Sequence, residues 1–177
     1  MNQEDQINQL IKEKALEKAF NLIVDEYQQR MYWHIRRMVT DHDDANDVLQ
    51  NTFIKIWKAL PKFTGDSKFY TWAYRIATNE SITFINKRKD DASFDDLAYS
   101  ISQNLEADAF FDGNEAQRKL HAAVSALPEK QKAVFNLKYF EELKYEEISK
   151  ILDTSVGGLK ASYHHAVKKI EDYLKHD

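Results

Sequence analysis

The chain has 177 residues, a net charge of −4, two prolines, four glycines and no cysteine. This length suits one or two small domains with their own cores, and the lack of cysteine excludes a disulfide framework and thiolate chemistry. No apolar run reaches the roughly 18 residues of a membrane span, and the polar N-terminus lacks the apolar core of a signal peptide. Because the hydrophobic residues recur at helical spacing, we expect an all-α protein in the cytoplasm without membrane insertion.

Two amphipathic helices are predicted in the first sixty residues. Apolar residues repeat at steps of three or four over 16–38 and again over 45–60. The acidic run 41–44 between them should cap the start of the second helix. We interpret the second stripe, which includes Phe53 and Trp57, as core.

A loop and a further helix, beginning near Ser67, follow Pro61. Residues 62–89 hold six bases against two acids, and four aromatic residues crowd the start of the helix. Bases follow phosphates and aromatic rings stack on unpaired bases, so this pattern is typical of single-stranded nucleic-acid binding. A hydrophobic core element with a solvated basic end would show the same composition. Both interpretations stay open on this segment alone.

An acidic segment, 91–117, separates this half from the rest. It holds seven acids and no Lys or Arg, whereas the flanking parts are nearly neutral. It shows no sustained helical stripe, so we expect a solvated, partly disordered linker between two domains. Its scattered aromatic and aliphatic residues suggest that it also docks on a partner for part of the time.

The last segment reads as a helix-turn-helix. A short helix over 145–152 is followed by a turn at 153–155 and by a second helix that Ser155 should cap. The second helix has one apolar stripe, a cationic face, and small residues near its exposed start. Such a helix fits the DNA major groove, because a flat basic surface can approach phosphates and base edges. An amphipathic hairpin that binds no DNA remains the alternative.

Two strings of residues can be compared with known families. The first contains Asp44, Ala45, Asp47, Gln50, Phe53, Trp57, Phe63, Gly65, Ser67, Phe69, Thr71, Trp72, Tyr74, Arg75, Ile76, Ala77, Asn79 and the basic run 87–89. The second contains Ala126, Leu127, Pro128, Gln131, Val134, Phe135, Leu137, Tyr145, Glu146, Glu147, Ile148, Ile151, Leu152, Ser155, Lys160 and residues 166–170. In this order and separation they resemble the extracytoplasmic-function group of bacterial RNA polymerase sigma factors. One departure is Lys144 where Ser is usual, which predicts a weakly capped start for the first helix of the helix-turn-helix.

The resemblance implies two helical domains joined by the acidic linker. Residues 16–90 would bind core RNA polymerase and recognise and melt the minus-ten element, and residues 118–174 would read the minus-thirty-five element. The partners implied are core polymerase, promoter DNA and, in many members, an anti-sigma factor. The resemblance implies no catalysis and no cofactor, and the sequence suggests no metal site.

The resemblance implies a set of residues for each of these three binding activities. A coiled coil of the polymerase's largest subunit would be bound by Asp44, Asp47, Gln50 and Asn51. The separated minus-ten strand would be held by Phe63, Phe69, Trp72, Tyr74, Arg75, Asn79, Lys87 and Arg88. The minus-thirty-five duplex would be read by Gly158, Lys160, Ala161, Ser162, His164, His165, Lys168 and Lys169.

Two other functions fit the sequence less well. A stand-alone helix-turn-helix regulator would leave the aromatic and basic segment unexplained, and the chain offers no obvious dimer helix. A helical enzyme or metal protein is disfavoured because there is no phosphate-binding glycine loop and no HExxH motif. The adjacent His164 and His165 point about 100° apart on a helix and make a poor chelating pair, and His42 among acids fits a helix cap better.

Overall fold

The computed structural model describes residues 1–88 and 93–176, and every regular element in these ranges is helical. The elements are α1 (Gln3–Lys12), α2 (Leu16–Val39), α3 (His42–Ala59), α4 (Phe69–Asn86), α5 (Phe94–Glu106), α6 (Glu115–Ala126), α7 (Glu129–Phe135), α8 (Tyr145–Leu152) and α9 (Val156–Lys175). A 3₁₀ turn, Leu60–Lys62, follows α3, and a π turn, Asn136–Phe140, follows α7. Lys89 and the predicted boundary between residues 90 and 91 lie outside the described residues.

Helices α2, α3 and α4 form the core of the N-terminal half. Met31 and Ile35 of α2, Ile56 of α3 and Phe69 of α4 are fully buried together. The two predicted stripes therefore become α2 and α3, within three residues of the predicted bounds. Asp41 caps α3, as expected, by accepting a hydrogen bond from the backbone N–H of Asp44 at 3.1 Å.

The C-terminal half contains the predicted helix-turn-helix as α8 and α9. Ser155 caps α9 by accepting a hydrogen bond from the Gly158 N–H at 3.2 Å, which confirms the predicted cap. Asp153 ends α8 in the left-handed conformation, with φ of 51°. No side chain caps the start of α8 at Lys144, as the sequence predicted. Local hydrogen bonds hold the turn between α8 and α9, because the Ser149 hydroxyl also donates to the Thr154 carbonyl at 2.7 Å.

Four helices, α1, α5, α6 and α7, were not predicted from the sequence, and α1 and α5 change the picture most. Helix α1 begins after a side-chain cap from Asn2 and buries Ile7 completely. Helix α5 lies inside the acidic segment, so the expectation that this segment lacks a helical stripe is wrong. Ala98, Ile101 and Leu105 recur at steps of three and four and are buried against α6. The stripe is short and becomes stable only because α6 covers it.

The two halves pack on each other, a point that the sequence left open. Helix α8 lies against α4, and α6 and α7 contact α2. Leu137, Ile148 and Ile151 of the C-terminal half join the same apolar core as Phe69 and Ala77 of the N-terminal half. Within the described residues, no helix is long and apolar enough to cross a membrane.

Candidate nucleic-acid interface

The predicted polymerase-binding residues share one side of α3. Asp47, Gln50 and Asn51 are exposed, and Asp44 is half-buried at the start of the helix. Asp44 Oδ2 lies 2.6 Å from Nη1 of Arg88, which follows α4. The structure thus brings a predicted polymerase-binding residue into contact with a predicted minus-ten residue.

An apolar groove lies beside this polar face and was missed by the sequence reasoning. Its walls are Phe20 of α2 with Phe53, Ile54 and Trp57 of α3, and its volume is about 430 Å³. The side chain of Trp57 is 44% exposed and that of Ile54 is 51% exposed. The assignment of Trp57 to the core is therefore wrong, because α2 leaves the face of α3 that carries Ile54 and Trp57 partly uncovered.

The predicted minus-ten residues differ in how far their side chains are buried. Arg75, Asn79, Lys87 and Arg88 are exposed, whereas Phe63 and Trp72 are half-buried with ring centroids 5.0 Å apart. Phe69 and Tyr74 have no exposed surface. In this conformation neither can reach DNA, because Phe69 supports the rings of Phe63 and Trp72 from below and Tyr74 faces the C-terminal half.

A small pocket opens between the loop before α4 and the body of the protein. It has a volume of about 230 Å³ and contains Phe63, Thr64, Asp66 and Trp72 in its walls. Gly65 turns the loop at a φ of +79°, a conformation that glycine adopts without steric cost. The Thr64 hydroxyl donates to Asp66 Oδ2 at 2.8 Å and stiffens the turn. Aromatic walls with nearby lysines suit an unstacked base.

Most of the predicted minus-thirty-five residues lie on the outer surface of α9. Exposed positions are Lys160, Ala161, His164, His165 and Lys168, whereas Gly158, Ser162 and Lys169 are half-buried. Lys169 lines a groove with Phe94 and Asp95 of α5, so it does not belong to the outward basic face. A Cβ at Gly158 would lie 3.2 Å from Ser155 Oγ, which explains why a residue without a side chain suits the first turn.

The strongest pKa shifts belong to groups inside the protein, and burial raises the pKa of Tyr70 and of the predicted minus-ten residue Tyr74 far above its usual value. Burial, aided by the nearby Arg37, lowers the pKa of His34 to about 3. Burial also lowers the pKa of Lys132 to about 8, and its ammonium donates to the Met38 carbonyl at 2.8 Å. Among the described residues, no group of three or more His, Asp or Glu side chains is placed to hold a metal ion.

Comparison with known proteins supplies the family. Residues 23–91 match Sigma-70 region 2, and residues 117–170 match Sigma-70, region 4. The chain is 30% identical to the RNA polymerase sigma-H factor of Pseudomonas aeruginosa, over 97% of this chain and 95% of that protein. It is also 30% identical to the ECF RNA polymerase sigma-E factor of Escherichia coli strain K12, over 92% and 90% of the two chains. This chain is an extracytoplasmic-function sigma factor.

Two solved structures share its fold. One is CnrH in complex with the cytosolic domain of CnrY, which is 21% identical and has a TM-score of 0.71 over 97% of this chain and 99% of that one. The other is the sigma factor RpoE in complex with the anti-sigma factor NepR from Bartonella quintana, 20% identical, with a TM-score of 0.69 over 90% and 99%. These matches confirm an all-α fold with two helical domains.

The family decides the activity. A sigma factor binds core RNA polymerase and promoter DNA and directs promoter-specific initiation, and it is not an enzyme. The stand-alone regulator and the helical enzyme are therefore excluded as functions of this chain.

Proposed function

We propose that the activity of this sigma factor is divided among three parts of the chain. Residues 16–90 bind core polymerase and hold the opened minus-ten strand, and residues 118–174 read the minus-thirty-five duplex. Residues 91–117 connect the two units within the polymerase. The matches to regions 2 and 4 support this division, because they cover 23–91 and 117–170 and leave the acidic segment between them.

Polymerase binding is assigned to the outer face of α3. Asp47, Gln50 and Asn51 offer polar groups in solvent, and Trp57 lies at the other end of the helix with Ile54. An exposed tryptophan in a groove bordered by polar residues has the composition of an interface hot spot. A coiled coil of the largest polymerase subunit would thus meet a polar patch and an apolar anchor on one helix.

Minus-ten recognition is assigned to the loop around Gly65 and to the exposed side of α4. Phe63 and Trp72 form the aromatic wall of the pocket, and Arg75 and Asn79 follow along the helix on its exposed side. An unpaired base could enter the pocket once it leaves the duplex, at a cost of a few kcal/mol of unpairing. Phe69 would act from beneath by holding the two rings in place.

Minus-thirty-five recognition is assigned to the exposed surface of α9. Lys160, His164 and Lys168 follow one another at steps of four and project into solvent. The free N–H groups at the start of the helix and its small residues allow close approach to phosphates. Each unit binds DNA weakly by itself, and binding both elements at once raises the effective concentration of the second unit.

The acidic linker and an inhibitory partner complete the proposal. Residues 91–117 carry seven acids and no Lys or Arg, which suits a path through a basic polymerase channel as a nucleic-acid mimic. In the two solved structures a related fold is bound to the cytosolic domain of CnrY and to the anti-sigma factor NepR. We extend such control, and a cytoplasmic location beside the polymerase, to this chain.

Reconstituted transcription tests the function. Purified protein is added to core polymerase with a library of promoter fragments, and the 5′ ends of the transcripts are sequenced. We expect start sites that share two upstream elements and are absent with core alone. Failure to bind core and to give any specific transcript would contradict the proposal. Tight, salt-sensitive duplex binding by the protein without core would contradict the proposal that each unit binds DNA weakly by itself.

A further inference from the structure

The two halves are joined by a buried carboxylate, that of Glu141. This residue follows the π turn of the C-terminal half, and only 6% of its side chain is exposed. Its Oε2 lies 3.2 Å from Nη2 of Arg30, and its Oε1 lies 3.6 Å from Nη2 of Arg37, both on α2. The hydroxyl of Tyr74 on α4 donates to the same carboxylate at 3.2 Å. One anion from region 4 is thus held by three groups from region 2.

Other polar contacts cross the same junction. The Arg37 guanidinium stacks 4.1 Å from the ring centroid of Phe140, which precedes Glu141. The buried Lys132 ammonium donates to the Met38 carbonyl at 2.8 Å, and the Ser125 hydroxyl donates to the Arg37 carbonyl at 3.4 Å. These contacts place α6, α7 and the π turn against the C-terminal end of α2.

The linker adds a second connection to α2 and α3. Arg36 forms an ion pair and hydrogen bond with Asp108, which follows α5. The ring of Phe110 stacks on His42 with centroids 3.6 Å apart. These contacts bind the acidic segment to α2 and α3. In this conformation the segment is not free to enter a polymerase channel.

This packing places α8 beside the surface assigned to the minus-ten strand. Lys150 of α8 lines the same pocket as Phe63 and Trp72. Helix α8 also packs against α4. The first helix of the helix-turn-helix therefore forms part of the wall of the pocket that an unstacked base would enter.

The packed form is also too short to reach both promoter elements. Their names place them roughly 25 base pairs apart, which is about 85 Å of duplex at about 3.4 Å per base pair. A compact chain of this length has a radius of gyration of about 16 Å and a diameter of roughly 40 Å. The two units must separate before both elements can be bound together.

We propose that the Glu141 carboxylate is an intramolecular latch that stabilises the closed form of this sigma factor. The latch rests on the proposed division of labour between the two halves. An ion pair suits a reversible closure, because its Coulomb gain is largely offset by desolvation of the charges. These ion pairs act beside the apolar contacts that Leu137, Ile148 and Ile151 make with the N-terminal core.

A thiol-reactivity experiment measures the latch directly, because the natural chain has no cysteine. A Ser125→Cys reporter places a thiol at the junction, where the side chain is 6% exposed. A Thr52→Cys reporter places one within the N-terminal core, where the side chain is fully buried. Each reporter is combined with Glu141→Gln, and the rate of labelling by a small thiol reagent is measured in the full chain under native conditions.

We expect Glu141→Gln to raise labelling of the junction reporter at least tenfold, because two arginines lose their anion. Labelling of the core reporter should change less than twofold. Glu142→Gln, at the exposed neighbouring position, is the matched control and should change neither rate. Arg30→Gln removes the cationic partner of the same ion pair, and it should also raise the labelling rate of the junction reporter.

Three results would overturn the latch. They are unchanged junction labelling in Glu141→Gln, equal acceleration of both reporters, and an equal effect of Glu142→Gln. Equal acceleration would mean that Glu141 stabilises the whole fold rather than the closure. Specific transcription by the wild-type chain with core is measured in the same preparation. Its absence would count against the proposed function and leave the labelling result to decide the latch.

Discussion

Two histidines are kept neutral in the interior. Burial with the nearby Arg37 lowers the pKa of His34 to about 3, and burial with Arg37 and Arg36 lowers that of His121 to about 4. His34 Nε2 is 2.9 Å from the Thr78 hydroxyl, so the neutral ring has a partner. An unfolded histidine titrates near 6.5, so between that pH and about 4 the unfolded chain binds protons that the folded chain does not.

We therefore expect the free energy of unfolding to fall as the pH drops from 7 to 5. The stability linked to each neutral histidine is complete above about 6.5 and is lost progressively below it. His121→Gln should reduce the loss between these pH values by roughly 1–2 kcal/mol. Urea denaturation of both proteins at pH 7, 6 and 5 measures the effect. His164→Gln, at an exposed position on α9, is the control; an equal flattening there would contradict the assignment to His121.

Trp57 gives a second prediction at the scale of one residue. Its side chain is 44% exposed and packs on Phe20 with ring centroids 5.2 Å apart. Trp57→Ala should weaken binding to core polymerase by roughly 10- to 100-fold, because buried interface tryptophans are typical hot spots. Lys58→Ala at the exposed neighbouring position should cost less than about threefold. Titration of core with labelled sigma factor measures both, and an equal loss for the two variants would contradict an apolar anchor at Trp57.

Helices α9 and α5 differ in whether their exposed faces can be predicted from their own sequences. Helix α9 buries Leu159, Ala166 and Ile170 and leaves the opposite side basic, so its exposed basic face follows from its own periodicity. Helix α5 is different, because its exposed Asp95 and Asp96 dominate its composition while α6 covers its apolar stripe. The outward face of α9 is thus readable from local sequence, whereas α5 depends on a partner helix.

The basic face of α9 can be tested as a unit. Lys160→Ala combined with Lys168→Ala should lower transcription from promoters with a minus-thirty-five element about tenfold or more, because two phosphate contacts are lost. Promoters that lack this element should be affected less than about twofold. Lys169→Ala, whose side chain faces α5, is the control. An equal loss on both promoter types would place the contacts elsewhere.

At the scale of the whole molecule, closure and polymerase binding compete. The shared core that runs from Met31 to Ile148 and the ion pairs of Glu141 favour the closed form. Core polymerase favours the open form if it holds the two units at the spacing of the promoter elements. A ligand that binds one conformation more tightly shifts the population towards it by that difference in affinity.

Energy transfer between two dyes should report this shift. The dyes are attached through Asn21→Cys on α2 and Glu171→Cys on α9, both exposed positions in opposite halves. We expect efficient transfer in the free protein and a large loss when core polymerase is added in excess. Core pre-bound to another sigma factor should produce no change. High transfer in a complex that still initiates transcription would mean that the halves remain packed during initiation.

Much of this protein follows from local sequence. The spacing of apolar residues predicted α2, α3 and α9, and Ser155 and Asp41 marked two helix starts, because periodicity and capping act over a few residues. The order of the two resembling strings was enough to identify the family. The polar face of α3 and the outward basic face of α9 were also predicted, apart from Lys169, which lines the groove beside α5.

Tertiary structure alone decided how the halves meet. Tyr74 lies 67 positions from Glu141 in the chain, and their hydrogen bond cannot be read from any local pattern. The same holds for Trp57, whose exposure depends on which neighbours cover the end of α3. Burial is a property of surfaces brought together from distant parts of the chain, so a helical stripe shows that a face is apolar without showing what covers it.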